Sequence, residues 1–280
     1  MFKKIKDRIK ELFDKIREKL KQLMKEITER FREKQYVAYL EKLKTMIKKD
    51  PGLGNVTVTV TDCDEFEDDD YDGKEVLDMI VLLAQQYAQE FRTINQAMDD
   101  LDNVPMPSSI RDQSKEEINR EIDRTMELAL KQNEEILTRA DEFEQALDGN
   151  SFDTQMSLRA IVNGGYQYIT RNLVRITQKI DYIEADLNRV LDKCDRILKE
   201  VDNIDPRLIK LINQTASVTI RAYKLYMKAL QKATSQLING TKEAVREYKE
   251  NNSRADAANA TRTTITNESV YDERLAWLLQ

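Results

Sequence analysis

Apolar residues recur at alternating spacings of three and four between residues 173 and 204. Such a period of 3.5 is typical of a heptad seam, in which one narrow helix face is buried against another helix. The pattern predicts a long helix within a coiled coil or a helical bundle. The seam positions are Leu173, Ile176, Ile180, Ile183, Leu187, Val190, Cys194, Ile197, Val201 and Ile204.

A second apolar stripe, with a mean period near 3.6, runs through residues 2–49 and predicts one long amphipathic helix, or two in line. The helix should end at Asp50-Pro51-Gly52, because proline and glycine oppose its continuation. We expect this first unit, residues 1–50, to protrude from the rest of the molecule. The residues predicted to contact a neighbouring subunit or a membrane are Phe2, Ile5, Ile9, Leu12, Phe13, Ile16 and Leu20.

Residues 51–73 form a second predicted unit, a short strand followed by an acidic loop. Valine alternates with threonine from Asn55 to Thr61, which is the period of a strand with one apolar face. The expected partner strand lies near Thr261–Thr266, either in the same chain or in another copy. The acidic run from Asp62 to Asp72 should face solvent.

Residues 74–250 are predicted to form an antiparallel helical bundle. The expected helices span about 74–100, 114–147, 151–203 and 205–250, the second opened by a Ser114–Glu117 capping box and the last by Asp205-Pro206. Gly164-Gly165 is a candidate kink in the third. The stripe of the second helix runs through Ile118, Ile122, Met126, Ala129, Asn133, Ile136, Ala140, Phe143 and Leu147.

Asn133 interrupts that stripe with an amide. A buried asparagine at a seam position fixes helix register at some cost in stability. Alternatively, the stripe turns toward solvent at this point, and the sequence does not distinguish the two.

Residues 251–280 are predicted to form an extended arm. The stretch from Asn251 to Asn267 is rich in Asn, Ala, Thr and Ser, and the chain then reads YDERLAWLLQ, with its single tryptophan. The arm could dock on a neighbouring subunit or fold back on its own bundle. Its predicted docking residues are Leu275, Trp277, Leu278 and Leu279.

The composition argues against most catalytic classes. None of the 280 residues is histidine, which removes the commonest general base and transition-metal ligand. Cys63 and Cys194 lack the spacing of a disulfide framework and are interpreted as free thiols, in a reducing compartment or inside a particle. We expect neither a signal peptide nor a transmembrane segment, and hence a virion or cytoplasmic location.

The net charge of −6 is unevenly distributed. Residues 1–49 contain 17 Lys/Arg against 8 Asp/Glu, a net +9, whereas the remainder carries −15. The basic helix could meet the acidic body of another subunit or an anionic membrane surface. Interspersed acidic residues favour helix packing over lipid, and the acidic body argues against binding of nucleic acid.

The segment Asp68-Asp69-Asp70-Tyr71-Asp72-Gly73 contains the D-x-D-x-D-G opening of an EF-hand-like calcium loop. Asp68, Asp70 and Asp72 are therefore candidate ligands for Ca²⁺. Met79 stands at the twelfth position, where such loops place a bidentate glutamate. A solvated acidic loop is the competing interpretation.

The sequence therefore predicts an all-α protein: a long-helix antiparallel bundle with a protruding N-terminal helix, one short β segment and a C-terminal arm. We expect it to be a non-catalytic subunit of a homo-oligomer that also contacts other subunits of a larger assembly. A bacteriophage or phage-like virion component, such as a ring, connector or internal protein near the portal or tail, fits this architecture by analogy. The alternatives are a membrane-binding or ejected virion protein, and a calcium-responsive coiled-coil adaptor.

Overall fold

The structure is a computed structural model that describes residues 2–63, 73–99, 108–201 and 203–255. It is an all-α bundle with one short β segment. The helices are α1 (Phe2–Arg32), α2 (Lys34–Lys49), α3 (Lys74–Asp99), α4 (Ser108–Asp148), α5 (Leu158–Ile197) and α6 (Pro206–Ser235); the strands are β1 (Thr57–Thr61) and β2 (Asp153–Ser157). A 3₁₀ turn, Leu53–Asn55, follows α2.

Helix α6 is the centre of the bundle, since α1, α3, α4 and α5 all pack against it. Its two apolar faces explain this position, because a helix that is apolar on more than one side must contact several neighbours. The buried residues of both faces include Ile212, Ala222, Tyr223, Tyr226, Ala229, Leu230 and Ala233. Around α6, α1 contacts α5, α5 contacts α3, and α3 contacts α4.

Helix α1 does not protrude, and this part of the sequence prediction is wrong. It lies antiparallel to α5, with ion pairs from Lys6 to Asp192 and from Arg17 to Asp181 and Glu184. Its apolar stripe is buried against α5 and α6. The stripe indicated correctly that one face is buried, but a periodic pattern does not identify the surface that covers it.

The helix predicted over residues 2–49 is interrupted at Glu33, so that α1 and α2 are separate helices. Aromatic rings pack at this junction: Phe31 lies 5.8 Å from Tyr36 and 5.3 Å from Tyr166 of α5, measured between ring centroids. Tyr39 donates a hydrogen bond to the carbonyl oxygen of Thr241. This hydrogen bond connects α2 to the helical segment that follows α6, over residues 241–255.

The predicted strand is confirmed as β1, but its partner is not the segment near residue 261. β1 pairs antiparallel with β2, in a register that places Thr57 opposite Ser157 and Thr61 opposite Asp153. The predicted start of the helix at residue 151 is wrong, because Asp153–Ser157 form β2. That helix, α5, instead begins at Leu158, where the Ser157 hydroxyl caps it by accepting from the Ala160 N–H at 3.2 Å. Helix α5 continues unbroken through Gly164-Gly165.

Beyond Ser235 the central helix passes through a π-helical turn, Gln236–Gly240, and then continues as a helix over residues 241–255. The turn packs on β1. The Gln236 Oε1 atom accepts from the Thr61 N–H at 2.8 Å, and a Cβ atom on Gly240 would lie 2.6 Å from Val58 Cγ1. The π turn therefore places a glycine where the strand needs close approach.

The predicted N-cap of α6 is confirmed. One Asp205 carboxylate oxygen accepts from the Arg207 backbone N–H at 2.7 Å, and the other from the Tyr87 hydroxyl and the Arg207 guanidinium, each at 2.9 Å. Arg207 also pairs with Asp123 at 3.0 Å. Burial alone would raise the pKa of Asp205, but these hydrogen bonds outweigh it and the pKa is lowered. The network joins α3, α4 and the start of α6.

We expect Asp205→Ala to lower the free energy of unfolding by about 1–2 kcal/mol at pH 7, since it removes a helix cap. The lowered pKa means that the carboxylate contributes its stability above the unfolded-state pKa of about 3.9, and that this contribution disappears as the pH falls through the folded-state value. Urea unfolding at pH 7 and below pH 4 should show the gap between wild type and variant closing in acid. Asp205→Asn, which keeps a capping oxygen, is the control and should lose less.

Candidate functional site

Chemically reactive side chains do not converge in the described part of the chain. No three His, Cys, Asp or Glu side chains there could hold a metal ion together. Cys63 and Cys194 are buried thiols that are not joined in a disulfide, and burial raises the pKa of the Cys194 thiol to about 11. A buried thiol with a raised pKa is a poor nucleophile, so this residue packs rather than reacts.

The residues that the sequence singled out fall into three groups. The seam from Leu173 to Val190 is buried as predicted. The residues predicted to contact a neighbouring subunit or a membrane lie in the core of this chain, where Ile5, Ile9, Phe13, Ile16 and Leu20 are buried and Leu12 is half-buried. The Phe2 side chain, the candidate calcium ligands Asp68, Asp70 and Asp72, and the docking residues Leu275, Trp277, Leu278 and Leu279 lie outside the described residues, so these remain predictions.

A groove of about 490 Å³ opens between α1 and α4, with α6 as its floor. It occupies the side of the central helix that the surrounding helices leave uncovered. A volume of this size is typical of ligand sites, which span roughly 300–1,000 Å³. The residues that line it are Arg8, Leu130, Asn133, Glu134, Leu137, Lys210, Asn213, Gln214, Ser217, Val218 and Arg221.

Two of the side chains that line the groove have a buried oxygen atom for which the described residues provide no hydrogen-bond donor. Asn133 is 4% exposed, so it belongs to the buried seam and does not turn to solvent. Its Nδ2 donates to Thr215 Oγ1 at 3.1 Å, and the Thr215 hydroxyl in turn donates to the Leu211 carbonyl oxygen. Because the hydroxyl proton is already used, Thr215 can only accept from Asn133, which fixes the orientation of the amide.

This orientation leaves Asn133 Oδ1 without a hydrogen-bond partner among the described residues, and Gln214 Oε1 is in the same condition. A buried acceptor without a donor costs about 1–3 kcal/mol. Both residues line the same groove, on adjacent helices. A molecule that brought an N–H or O–H donor to them would recover this cost.

The basic residues of the groove differ in whether they form ion pairs. Arg221 is paired with Asp141 and Glu144 of α4. Arg8 and Lys210, in contrast, are exposed and form no ion pair within the described ranges. The groove therefore presents two cations that an anionic group could pair with, Arg8 on α1 and Lys210 on α6, beside the apolar side chains of Leu130, Leu137 and Val218.

This groove was not predicted from the sequence, although α6 carries a pattern of polar residues that indicates it. Helix α6 is apolar on two faces, yet Lys210, Asn213, Ser217 and Arg221 follow one another at spacings of three and four. Such a polar strip on a central helix indicates the side that its neighbours leave open. Only the arrangement of α1 and α4 around it shows that the strip lies at the bottom of a groove.

No family model, curated protein or solved structure matches this chain. Among the described helices, none combines the length and the apolar character that crossing a membrane requires.

Proposed function

We propose that this protein is a non-catalytic structural subunit that assembles with further copies of itself. The uncovered side of α6 is the observation that carries the proposal. Among the described residues, no fifth helix covers the central helix between α1 and α4, and Leu130, Leu137 and Val218 lie along the opening. Apolar positions in a groove between helices suit the docking of a further helix or peptide segment.

The larger setting that we propose is a bacteriophage or phage-like particle, in which the protein would be a ring, connector or internal component near the portal or tail. The long helices, the few turns and the predicted arm with an apolar end support this assignment by analogy of architecture. Other subunits of the particle would be its further partners.

Membrane binding by the N-terminal helix is less well supported than assembly. The apolar residues that would enter a lipid surface, among them Ile9, Phe13 and Ile16, are buried against α5 and α6. Insertion would require α1 to leave the bundle and to expose the facing core. The calcium hypothesis concerns residues outside the described ranges and remains a prediction, which calorimetric titration with Ca²⁺ tests.

We expect the full-length wild-type chain to elute with a mass that is a multiple of the chain mass, because the proposed function requires contact between copies. Size-exclusion chromatography with light scattering, repeated over a series of loading concentrations and at low and high salt, measures this directly. A monomeric mass at every concentration would contradict the proposal.

A further inference from the structure

The groove between α1 and α4 sets three chemical requirements for whatever occupies it. The buried oxygen atoms of Asn133 and Gln214 need a hydrogen-bond donor. The apolar lining needs an apolar partner, and the cations Arg8 and Lys210 need an anion. A single occupant that meets all three would be recognised by shape and by charge.

Residues 271–280 of this chain, which we call the C-terminal segment, contain all three groups. Trp277 provides an indole N–H, which can donate but not accept. Leu275, Leu278 and Leu279 follow the spacing of one apolar helix face. Asp272 and Glu273 precede them and provide carboxylates with which Arg8 and Lys210 can form ion pairs.

The remaining charged residue of the segment also has a complement in the groove. Arg274 follows the two acidic residues, and the groove contains one exposed carboxylate, Glu134, on the α4 side. The segment therefore offers both signs of charge to a groove that has cations on α1 and α6 and a carboxylate on α4.

The length of the intervening chain favours a second copy as the source of the segment. From Ser217, in the middle of the groove, the central helix continues over 38 residues to residue 255, a distance of roughly 57 Å at 1.5 Å per residue. The tether of residues 256–270 spans at most about 54 Å when fully extended. Within one subunit, even a fully stretched tether would therefore end just short of Ser217, and stretching it costs conformational entropy.

We infer that the groove between α1 and α4 binds the C-terminal segment of a second copy of this chain, with the single N–H of the Trp277 indole donating to one of the two amide oxygens, Asn133 Oδ1 or Gln214 Oε1. The inference rests on the proposed function and names the contact through which the copies assemble. The arm of each copy then occupies the fifth position around the central helix of another.

Two single substitutions in the full-length protein test the two sides of the contact. Trp277→Ala removes the donor and the aromatic anchor, and Ser217→Phe fills the groove from an exposed position on its floor. Each should weaken self-association at least about tenfold, as loss of a buried aromatic anchor does. Thr138→Phe, on the exposed face of α4 outside the groove, is the matched control and should leave association unchanged.

Mixing the two variants distinguishes exchange between copies from folding back within one copy. A Trp277→Ala subunit has an intact groove, and a Ser217→Phe subunit has an intact C-terminal segment. An equimolar mixture should form heterodimers, seen by light scattering, although each variant alone is monomeric at the same concentration. Trp277 is the single tryptophan, so its emission in the Ser217→Phe subunit should shift to the blue when the partner is added.

Retention of the wild-type oligomer by both variants would overturn the inference and leave the proposed function in place. A mixture that stays monomeric, without a blue shift of the Trp277 emission from the Ser217→Phe subunit, would overturn the exchange of segments between copies. A monomeric wild type would contradict the proposed function and the inference together. Circular dichroism melting verifies that each variant is folded; if Ser217→Phe is not, the exposed double variant Arg8→Glu/Lys210→Glu replaces it and should weaken association in the same way.

Discussion

Phe13→Ala should lower the free energy of unfolding by about 3–5 kcal/mol, the usual cost of truncating a buried phenylalanine. Phe13 lies on α1 and is 0% exposed. The substitution removes packing contacts of the phenyl ring in the core and leaves a cavity that the surrounding helices fill only in part. Urea unfolding followed by circular dichroism at 222 nm measures the change, with the wild type as reference.

Met24→Ala is the matched control, because Met24 lies on the same helix but is 46% exposed. It should change the free energy of unfolding by no more than about 0.5 kcal/mol, as surface substitutions usually do. Comparing the two variants distinguishes an α1 that packs on the bundle, as in the structure, from a protruding α1, as predicted from the sequence. In a protruding helix, both substitutions would have similarly small effects.

Gly240→Ala should lower the free energy of unfolding by about 1–3 kcal/mol, as overpacking does. In an ordinary helix, alanine is favoured over glycine by about 1 kcal/mol, so the expected sign is opposite to that of helix propensity. The reason is the 2.6 Å distance between the new Cβ atom and Val58 Cγ1. Valine is short and stiff at χ1, and Val58 is held in a paired strand, so it cannot move aside freely.

Gly164→Ala provides the control with the opposite expectation, because a Cβ atom built there has no described atom within 4 Å apart from its adjacent residues and the nearby backbone of its own helix. It should stabilise the protein by roughly 1 kcal/mol. The double variant Gly240→Ala/Val58→Ala should recover part of the loss in a double-mutant cycle, since the contact itself is removed. Additive losses in that cycle would show that Val58 is not the obstacle.

Much of the helical framework could be predicted from the sequence, because helix faces and caps are local signals. The seam from Leu173 to Cys194 and the α4 stripe are buried where the periodicity placed them, whereas the predicted seam positions beyond the last turn of α5, Val201 and Ile204, are half-buried. Asp205 caps α6 as predicted, and Pro206 is its first residue. In each case the residues that decide the structure lie within a few positions of one another, so that no distant contact has to be known.

The sheet was harder to predict because its two strands are far apart in the chain. β2 contains Asp153, Thr154 and Gln155, without the alternation of β-branched residues that identified β1. Its strand conformation depends on pairing with β1, which is a tertiary interaction. Local clues existed in the Asp148-Gly149-Asn150 turn, where Asn150 has a φ of 60°, and in the capping Ser157.

The π turn and the groove could not be predicted because both arise from the fit between elements. Gln236–Gly240 departs from regular helix where β1 approaches it, and the sequence of the turn alone contains no such information. The groove exists because α1 and α4 stand apart above α6. The polar strip on α6 was visible, but its meaning depended on the positions of two other helices.

The antiparallel packing of α1 on α5 has a consequence for how the chain is made. α1 ends at Arg32, whereas α5 does not begin until Leu158. As the ribosome releases the chain from its N-terminus, Ile9, Phe13 and Ile16 therefore emerge long before the helix that will cover them. Until α5 and α6 have been synthesised, the nascent protein carries an uncovered amphipathic helix rich in lysine, and a chaperone would find its binding surface there.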